Sequence, residues 1–370
     1  MKSANDNPSI LKEKMVKEIK AGRVAGPFDI SPFPNLQISP LGLVPKKKVG
    51  EYRVIHHLSY PDHLSINDGI PQDKCTVQYQ TINDAISLVK YHGQGSLMAK
   101  TDMENGYRLV PINERDHDLL GFTIEEKFFY DKVLPMGLSY SCNLFEKFST
   151  AVHWVVEHKI RSSGCVHVLD DFLFLGPPKS ESCQKTLAQF LHMAQDIGIP
   201  IKEEKTVFPT TKIIFLGLEL DSAEMEIRLP DDKLLKLRKK LTYFQTRKKC
   251  TLVELQYLIG LLNFACAVVK PGRAFLRRII DLTLGLNRLT HRRWLTKEAR
   301  VDLKAWSLFI ENFNGKSFFL NDIRENSEQL HLYTDASDLG FILNIFYCSI
   351  RNNWIGHKFH NLETSSPIHT

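Results

Sequence analysis

The chain lacks the signatures of several large protein classes. It has no run of roughly 18 or more apolar residues, so no membrane-spanning helix is expected. Its first residues are polar and charged, without the apolar stretch of a secretory signal, which predicts an intracellular protein, cytoplasmic or nuclear and not secreted. The seven cysteines are scattered without a Cys-x-x-Cys pair, which argues against a zinc ribbon and a disulfide framework. The 370 residues, 43% hydrophobic and 24% charged, therefore indicate a globular protein of about two or three domains.

Acidic residues are scarce in one segment, residues 231–293. This segment holds four acidic and fifteen basic residues, a net charge of +11, whereas the whole chain carries only +6. Such a surface attracts a polyanion such as nucleic acid, and the binding would weaken with added salt. The alternative is a solvated helix face, and the segment alone does not decide between the two.

Two adjacent carboxylates, Asp170 and Asp171, interrupt the apolar run 166–176. The flanking Val, Leu and Phe residues predict strands, and because side chains alternate along a strand, two usable aspartates require a bend at a hairpin tip. A buried unpaired carboxylate is costly, and a hard cation such as Mg²⁺ would relieve that cost. The dipeptide alone is weak evidence, since Asp231 and Asp232 form a second pair that is best explained as a helix cap.

A third carboxylate, Asp102, ends another apolar strand that begins near Leu97. Three aspartates on neighbouring strand ends would hold two metal ions roughly 3.5 to 4 Å apart, the arrangement that polymerases and nucleases use for in-line attack on phosphorus. The pattern therefore predicts phosphoryl transfer with two Mg²⁺ ions, or Mn²⁺ in their place, as cofactors.

The order of predicted elements indicates an α+β fold. The chain passes through the strand ending at Asp102, a helix with Leu144 and Val155 on its apolar face, the aspartate hairpin, a helix ending before Gly198, and strands at 213–220. This order predicts a split βαβ sheet with helices on one face, the palm architecture of template-directed polymerases.

Other helices and a hairpin are predicted on both sides of this palm. Before it lie a charged helix over 10–20, a basic hairpin that turns near Gly50, and a helix over 81–92 with Thr81 as its cap. After it, a basic stripe opposite a leucine stripe predicts an amphipathic helix over 232–247.

A second capping box, from Thr251 to Glu254, begins a helix that is predicted to run to about Val268. Together with the basic helix before it, this helix would form a thumb. The predicted domains are an N-terminal extension or linker (1–37), fingers and palm (38–226), a basic helical thumb (227–300), and a connection leading into a partial domain (301–370).

These segments resemble, in the same order, the motifs of reverse transcriptases over roughly residues 38–300. The motif residues are Lys46-Lys47-Lys48 with Arg53, Asp102 with Gly106-Tyr107, Leu134-Pro135-Met136-Gly137, Val168-Leu169-Asp170-Asp171, Lys205, and Phe215-Leu216-Gly217. Within that family, Ser39-Pro40-Leu41-Gly42 and Pro271-Gly272-Arg273 look most like the DIRS-type retrotransposons. The resemblance implies a right-hand polymerase fold and an RNA-directed DNA polymerase that uses dNTPs and an RNA or DNA template with a primer, without a membrane partner.

The resemblance also implies residue roles. Asp102, Asp170 and Asp171 would hold the two Mg²⁺ ions, and Lys205 would donate a proton to the leaving pyrophosphate, although an ordinary surface lysine is an equally good interpretation. The remaining roles are contact with the incoming nucleotide, for Lys47, Arg53, Tyr107, Met136 and Gly137, and contact with nucleic acid, for Phe215, Leu216, Gly217, Lys233, Lys236, Lys240 and Arg247.

Tyr107 follows Asp102 at the place where the family carries an aromatic ring that crowds the sugar 2′-position. This implies deoxynucleotide use, although a core tyrosine is the commonplace alternative. The chain departs from the family at Val168, where Tyr is usual, at Met136, where Gln or Phe is frequent, and at His57, where Asp is common. None of these departures removes a predicted metal ligand.

Residues 330–337 resemble the first strand of a ribonuclease H domain, with Asp335 in the position of its first metal-binding carboxylate. The chain ends at Thr370, before the further acids that such a domain needs, so we expect a partial domain without ribonuclease H activity. Two alternatives to the polymerase stay open. They are a catalytically silent, nucleic-acid-binding relic and an RNA-dependent RNA polymerase.

Overall fold

The structure is a computed structural model that describes residues 1–46, 50–162, 164–312, 315–319, 330–337, 340–348 and 354–359. The chain divides into two compact units, Met1–Phe319 and Leu320–Thr370. In the part that is described, no helix is both long enough and apolar enough to cross a bilayer.

Helices and strands alternate along the first unit. The helices are α1 (Lys2–Asn5), α2 (Pro8–Lys20), α3 (Gln72–Cys75), α4 (Ile82–His92), α5 (Ser141–Val155), α6 (Ser182–Asp196), α7 (Asp231–Thr246), α8 (Leu252–Ala265), α9 (Arg277–Asp281) and α10 (Lys297–Asn312). Its strands are β1 (Val24–Phe28), β2 (Leu41–Pro45), β3 (Tyr52–His56), β4 (Leu97–Asp102), β5 (Gly121–Ile124), β6 (Lys127–Asp131), β7 (Cys165–Val168), β8 (Asp171–Gly176), β9 (Val207–Thr210), β10 (Lys212–Phe215), β11 (Leu218–Asp221), β12 (Glu226–Arg228), β13 (Lys249–Thr251), β14 (Arg292–Trp294) and β15 (Lys316–Phe318).

Short helical turns complete these elements. A π-helical turn, Val156–Ile160, extends α5. Turns of 3₁₀ helix lie at Ile66–Gly69, Gly106–Leu109, Glu114–Leu119, Glu203–Lys205 and Lys270–Phe275.

The palm is a four-stranded antiparallel sheet in the order β7-β8-β4-β9. Helices α5 and α6 pack on one face of it, around Phe172, Phe174 and Phe190. The predicted order of strand, helix, strand hairpin and helix is therefore confirmed. The last strand of the sheet is β9, however, and the predicted strands at 213–220 form β10 and β11 of a second sheet. The prediction placed the helices on one face only, whereas α4 covers the other face, where Leu173 and Leu175 share a core with it. Burial on both faces explains why β8 is a continuous apolar run rather than an alternating one.

The fingers precede the palm and include the N-terminal helices. Strands β2 and β3 pair as the predicted hairpin, while β1, β6 and β5 form a three-stranded antiparallel sheet. Helices α1 and α2 join these strands through a core that includes Leu11, Met15, Leu43, Phe122 and Phe129. The first 37 residues, which were predicted as an extension or linker, thus contribute to the fingers core.

The thumb is helical and adjoins a second sheet, of order β10-β11-β12-β15. Helices α7, α8 and α10 pack around Leu237, Leu258 and Trp306, and α7 is the predicted basic helix. The β10–β11 hairpin turns through Leu216 and Gly217, both with positive φ, as two-residue hairpin loops of the mirror-image type require.

The capping box of α8 is confirmed, but its predicted end is not. The Thr251 side chain accepts a hydrogen bond from Glu254 N, and the Glu254 carboxylate accepts one from Thr251 N. The helix ends at Ala265 rather than near Val268, because the chain there turns toward Pro271, whose ring cannot continue a helix.

The second unit is described by the backbone of three antiparallel strands, β16 (Leu330–Ser337), β17 (Gly340–Cys348) and β18 (Trp354–Phe359), paired in that order. Asp335 lies on β16 in register with Ile342.

Candidate active site

Three aspartates meet at one end of the palm sheet. Strand pairing puts Asp102, the last residue of β4, opposite Asp171, the first residue of β8. Because Val168 also pairs with Asp171, only Leu169 and Asp170 form the hairpin turn, and Leu169 takes a left-handed φ of 54°. The predicted hairpin tip is therefore confirmed, and residues 68 or more positions apart in the chain become neighbours.

The turn that carries Asp170 is held from two sides. Asp170 O accepts a hydrogen bond of 3.0 Å from Met103 N, and Leu169 N donates to Glu146 Oε2 at 3.0 Å. Glu146 lies on α5 and is only 7% exposed, with His167 Nε2 at 3.3 Å from its other oxygen. The sequence predictions missed Glu146, whose one visible signal is a charge on the apolar side of a helix.

The aspartates repel one another in a partly buried setting. Burial and the nearby Asp102 raise the pKa of Asp170. Burial, Asp102 and Asp170 raise the pKa of Asp171 to about 6. Lys205 Nζ lies 2.5 Å from Asp102 Oδ2, and although burial alone would lower the pKa of Lys205, its hydrogen bond to Asp102 and the three carboxylates raise it. The site therefore attracts positive charge, of which Lys205 supplies one unit.

The donor chemistry of the three aspartates suits a hard divalent cation, whose preferred ligands are carboxylate oxygens. Among the described residues, no group of three or more His, Cys, Asp or Glu side chains stands in an arrangement that could hold a metal ion as it is. The ammonium of Lys205 instead donates to Asp102, and the charges of Asp170 and Asp171 act with that of Asp102 to raise the pKa of Lys205. The fit to Mg²⁺ thus rests on the type of ligand and on the repulsion between carboxylates that raises the pKa values of Asp170 and Asp171.

A cavity of about 450 Å³ opens beside Asp102 and Asp170, whereas Asp171 does not line it. The predicted site residues that line it are Arg53, Asp102, Tyr107, Met136, Asp170 and Lys205. Arg53 is exposed, and its charge acts to lower the pKa of Asp170 against the effect of burial. Lys47, the other predicted phosphate contact, lies outside the described residues.

Tyr107 is fixed at the wall of this cavity. Its ring packs edge-on against Phe145 at a centroid distance of 5.3 Å, and its hydroxyl lies 3.1 Å from Cys142 Sγ. Burial and the contact with Cys142 raise the pKa of Tyr107, so the ring stays neutral. A neutral aromatic ring held by two contacts from α5 can act as a steric wall.

Gly137 joins the fingers to the palm. It has φ of 130°, and a Cβ placed there would lie 1.9 Å from His56 O, so only glycine fits. His56 N donates to Met136 O at 2.8 Å, which ties β3 to the segment that leads into α5. Gly137 itself does not line the cavity, while its neighbour Met136 does.

A buried ionic network in the wall of the cavity was also missed by the sequence predictions. Arg108 lies 2.9 Å from Glu18 and 2.7 Å from Asp131, and His56 Nδ1 lies 3.0 Å from the other oxygen of Asp131. Arg23 extends the network by a contact of 2.9 Å with Glu18. The network links α2, the fingers strands and the 3₁₀ turn that follows Asp102.

The predicted nucleic-acid residues fall into two groups. The first group lies at the β10–β11 hairpin, where Phe215 is 1% exposed and packs in the core. The second group consists of the cations of α7, of which Lys236 and Lys240 lie 5.3 and 5.2 Å from the Tyr257 ring centroid. Lys233 donates to Gly217 O at 2.6 Å, so it ties α7 to the turn of the β10–β11 hairpin. The second group also includes Arg247, which stacks on a neighbouring tyrosine of α7.

The antiparallel palm with aspartates at its strand ends, together with the fingers and helical thumb, defines the right-hand polymerase fold. Residues 44–220 match the reverse transcriptase (RNA-dependent DNA polymerase) family. This segment, just under half of the chain, is therefore similar to the reverse transcriptase domains of retroviral and retroelement polyproteins.

Relatives in sequence and structure show the same similarity. The chain is 25% identical to the genome polyprotein of Petunia vein clearing virus over 173 residues, 46% of this chain and 7% of the polyprotein. It is 26% identical to the Gag-Pro-Pol polyprotein of Mason-Pfizer monkey virus over 313 residues, 81% of this chain and 16% of the polyprotein. The solved foamy viral protease-reverse transcriptase dRH in complex with double-stranded DNA has a TM-score of 0.63 and 19% identity, covering 96% of this chain and 56% of that one. This chain thus spans a small part of the length of the two polyproteins.

Proposed function

We propose that this chain is an RNA-directed DNA polymerase of a retroelement that adds dNTPs to the 3′-hydroxyl of a primer on an RNA or DNA template. The observation that carries the proposal is the register of Asp102 with Asp171 beside the Asp170 turn, where Asp102 and Asp170 line a cavity that Arg53 and Lys205 also line. Facing carboxylates that repel one another are stabilised best by divalent cations, and such cations catalyse phosphoryl transfer in polymerases.

In this proposal Asp102, Asp170 and Asp171 hold two Mg²⁺ ions, or Mn²⁺. When bound, the ions would activate the primer hydroxyl and neutralise charge on the triphosphate. Arg53 at the cavity wall suits a phosphate, because a guanidinium offers two parallel donors. Lys205, kept protonated by the carboxylates around it, is the proposed proton donor to pyrophosphate.

Tyr107 favours deoxynucleotides over ribonucleotides. Its ring is held against α5 by Phe145 and Cys142, so it cannot readily turn away from a sugar 2′-hydroxyl in the cavity. This separates the proposal from an RNA-dependent RNA polymerase. A DIRS-type origin rests on the sequence resemblance.

The activity is tested by primer extension on an RNA template with dNTPs and Mg²⁺. The Asp170→Asn variant should lose at least about a hundredfold in rate, since several kcal/mol of transition-state stabilisation depends on the metal site. The matched control is Asp232→Asn, which neutralises an exposed member of the other aspartate pair, at the start of α7, and should extend like the wild type.

Each outcome of this assay has a clear meaning. Equal extension by Asp170→Asn and the wild type would refute the assigned site. No extension by the wild type would favour the silent, nucleic-acid-binding relic, and extension with NTPs in place of dNTPs would favour the RNA polymerase. Ribonuclease H activity, for which Asp335 was the predicted remnant, is tested separately by degradation of a labelled RNA in a hybrid.

A further inference from the structure

A second cavity, here called the ribbon pocket, lies on the thumb. It has a volume of about 560 Å³, within the roughly 300 to 1,000 Å³ typical of ligand pockets. It is lined by Thr246, Arg247, Lys248, Lys249, Thr251, Glu254, Arg292 and Trp294. Four of these side chains are cationic and one is anionic, so the lining carries a net positive charge.

The floor of the ribbon pocket is one face of the two-stranded ribbon β13–β14. Lys249 pairs with Trp294, and Thr251 pairs with Arg292, so these four side chains share a face. Cys250, between them, is 1% exposed and points into the core. The ribbon therefore turns a basic and aromatic face outward, while Cys250 on its other face packs into the thumb core.

Two cations of the ribbon pocket are not used by the fold. Within the described residues, Lys248 and Arg292 have no side-chain hydrogen bond or ion pair. The neighbouring Arg293 and Arg300 differ, because they donate to backbone carbonyls of the thumb. Removing Lys248 or Arg292 should therefore leave the thumb intact.

The single acid of the ribbon pocket is already engaged. Glu254 accepts hydrogen bonds from Thr251 N and from the Tyr243 hydroxyl, at 2.8 and 2.9 Å. Its charge is thus directed at the start of α8, where the positive end of the helix dipole also favours it. An anionic ligand would meet the cations of the ribbon pocket without facing a free carboxylate.

Trp294 is the aromatic component of the ribbon pocket. It is 58% exposed, which is unusual for so large an apolar ring, and Lys249 Nζ lies 4.3 Å from its centroid. Exposed aromatic rings flanked by cations serve as stacking platforms for unpaired bases, whose phosphates the cations contact. A base pair within a duplex has no free face to stack on a single ring.

We propose that the ribbon pocket binds single-stranded nucleic acid, with a base stacked on Trp294 and phosphates on Lys248 and Arg292. The proposal rests on the proposed function in one respect: a polymerase of this kind holds an unpaired template strand. It does not depend on catalysis, because the ribbon pocket shares no residue with the cavity at the aspartates.

The test is binding of a fluorescein-labelled oligothymidylate of about twelve nucleotides, within the site sizes of known single-strand binders, measured by anisotropy on the full chain. Trp294→Ala should weaken binding at least about fivefold, the loss expected for one stacked base, while Trp294→Phe should retain most of the affinity. The double variant Lys248→Ala/Arg292→Ala should make the slope of log K against log salt less negative by about 1.4, since each phosphate contact with a single strand contributes about −0.7.

The matched control is Trp154→Ala, which removes another exposed tryptophan, 51% exposed and stacked on His158. Equal effects of Trp154→Ala and Trp294→Ala, or no effect of either, would overturn the proposal. The proposal would also be overturned if an oligoglutamate peptide displaced the oligonucleotide equally well from the wild type and from Trp294→Ala. That result would mark a surface that binds any polyanion.

Primer extension separates this proposal from the polymerase assignment. Binding that depends on Trp294 in a chain that extends no primer would contradict the proposed polymerase function and leave the ribbon pocket standing. Primer extension in a chain whose oligothymidylate binding ignores Trp294 would contradict the ribbon pocket alone.

Discussion

Replacing Arg108 by Met should destabilise the protein strongly, because it would leave a buried carboxylate without its main counter-charge. The side chains of Arg108 and Asp131 are 12% and 6% exposed, and they lie 2.7 Å apart. Burial alone would raise the pKa of Asp131, but Arg108 and His56 hold it below its ordinary value. Breaking a buried pair from one side costs about 3 to 5 kcal/mol, so we expect Arg108→Met to lower the free energy of unfolding by about that amount.

The measurement is urea unfolding followed by tryptophan fluorescence. Arg23→Met is the matched control. Arg23 contacts the same Glu18 oxygen as Arg108, but the side chains of Arg23 and Glu18 are both more than a fifth exposed, so its loss should cost less than about 1 kcal/mol. Adding Asp131→Asn to Arg108→Met should recover part of the loss, because the uncompensated charge is gone. The reasoning is refuted if Arg108→Met costs no more than Arg23→Met.

The loss of unfolding free energy in Arg108→Met should depend on pH, because the pKa of Asp131 is lowered in the folded protein. A carboxyl whose pKa is lower in the folded state stabilises the protein above its unfolded pKa, and this contribution is lost as the pH falls through the folded value. The difference between the wild type and Arg108→Met should therefore be full near neutral pH and shrink as the pH falls below about 4.

Three further predictions concern the cavity at the aspartates. The pKa of Asp171 is raised from 3.8 to about 6, so ionisation of Asp171 lowers the stability of the protein above pH 6 and has no effect below its unfolded pKa. With a chelator present, Asp171→Asn should therefore be more stable than the wild type by about 1 to 2 kcal/mol near neutral pH, after allowance for partial exposure. In acid the two proteins should be equally stable, and urea unfolding measures both cases. Glu146→Leu removes the acceptor for Leu169 N and should slow primer extension about tenfold, which is roughly the net contribution of one hydrogen bond to a charged group. Glu146→Gln keeps an oxygen at this place and should extend primers at close to the wild-type rate. Equal losses in the two variants would contradict the role of Glu146 in holding the Asp170 turn. Tyr107→Ala should raise the ratio of ribonucleotide to deoxynucleotide incorporation in single-nucleotide extension, and an unchanged ratio would show that the ring does not exclude the 2′-hydroxyl.

The elements that could be predicted from the sequence are those specified by nearby residues. The capping box at Thr251 and Glu254 and the apolar stripe of α7 are local patterns, and both are confirmed. The aspartate hairpin could be predicted because charge in an apolar run requires a turn, and Val168 and Asp171 pair across that turn.

The rest depends on contacts between distant parts of the chain. His56 and Asp131 are 75 positions apart, and Arg108 and Glu18 are 90 apart, so no local pattern links them. Lys205 was predicted from a motif, but its contact with Asp102 follows from the return of the chain beside β4. For such residues, burial and partner are decided by packing, which the hydrophobic pattern does not specify.

The close approach of Gly137 to the His56 backbone also limits how the fingers can move relative to the palm. Besides the His56 N to Met136 O bond, Asn67 donates to Gly137 O at 2.8 Å and accepts from Ser139 N at 2.9 Å. The end of the β2–β3 hairpin at His56 is thus held by hydrogen bonds to the segment before α5 and is unsuited to act as a hinge. We therefore expect any movement of this hairpin to come from bending of its outer arms, with the end at His56 staying still.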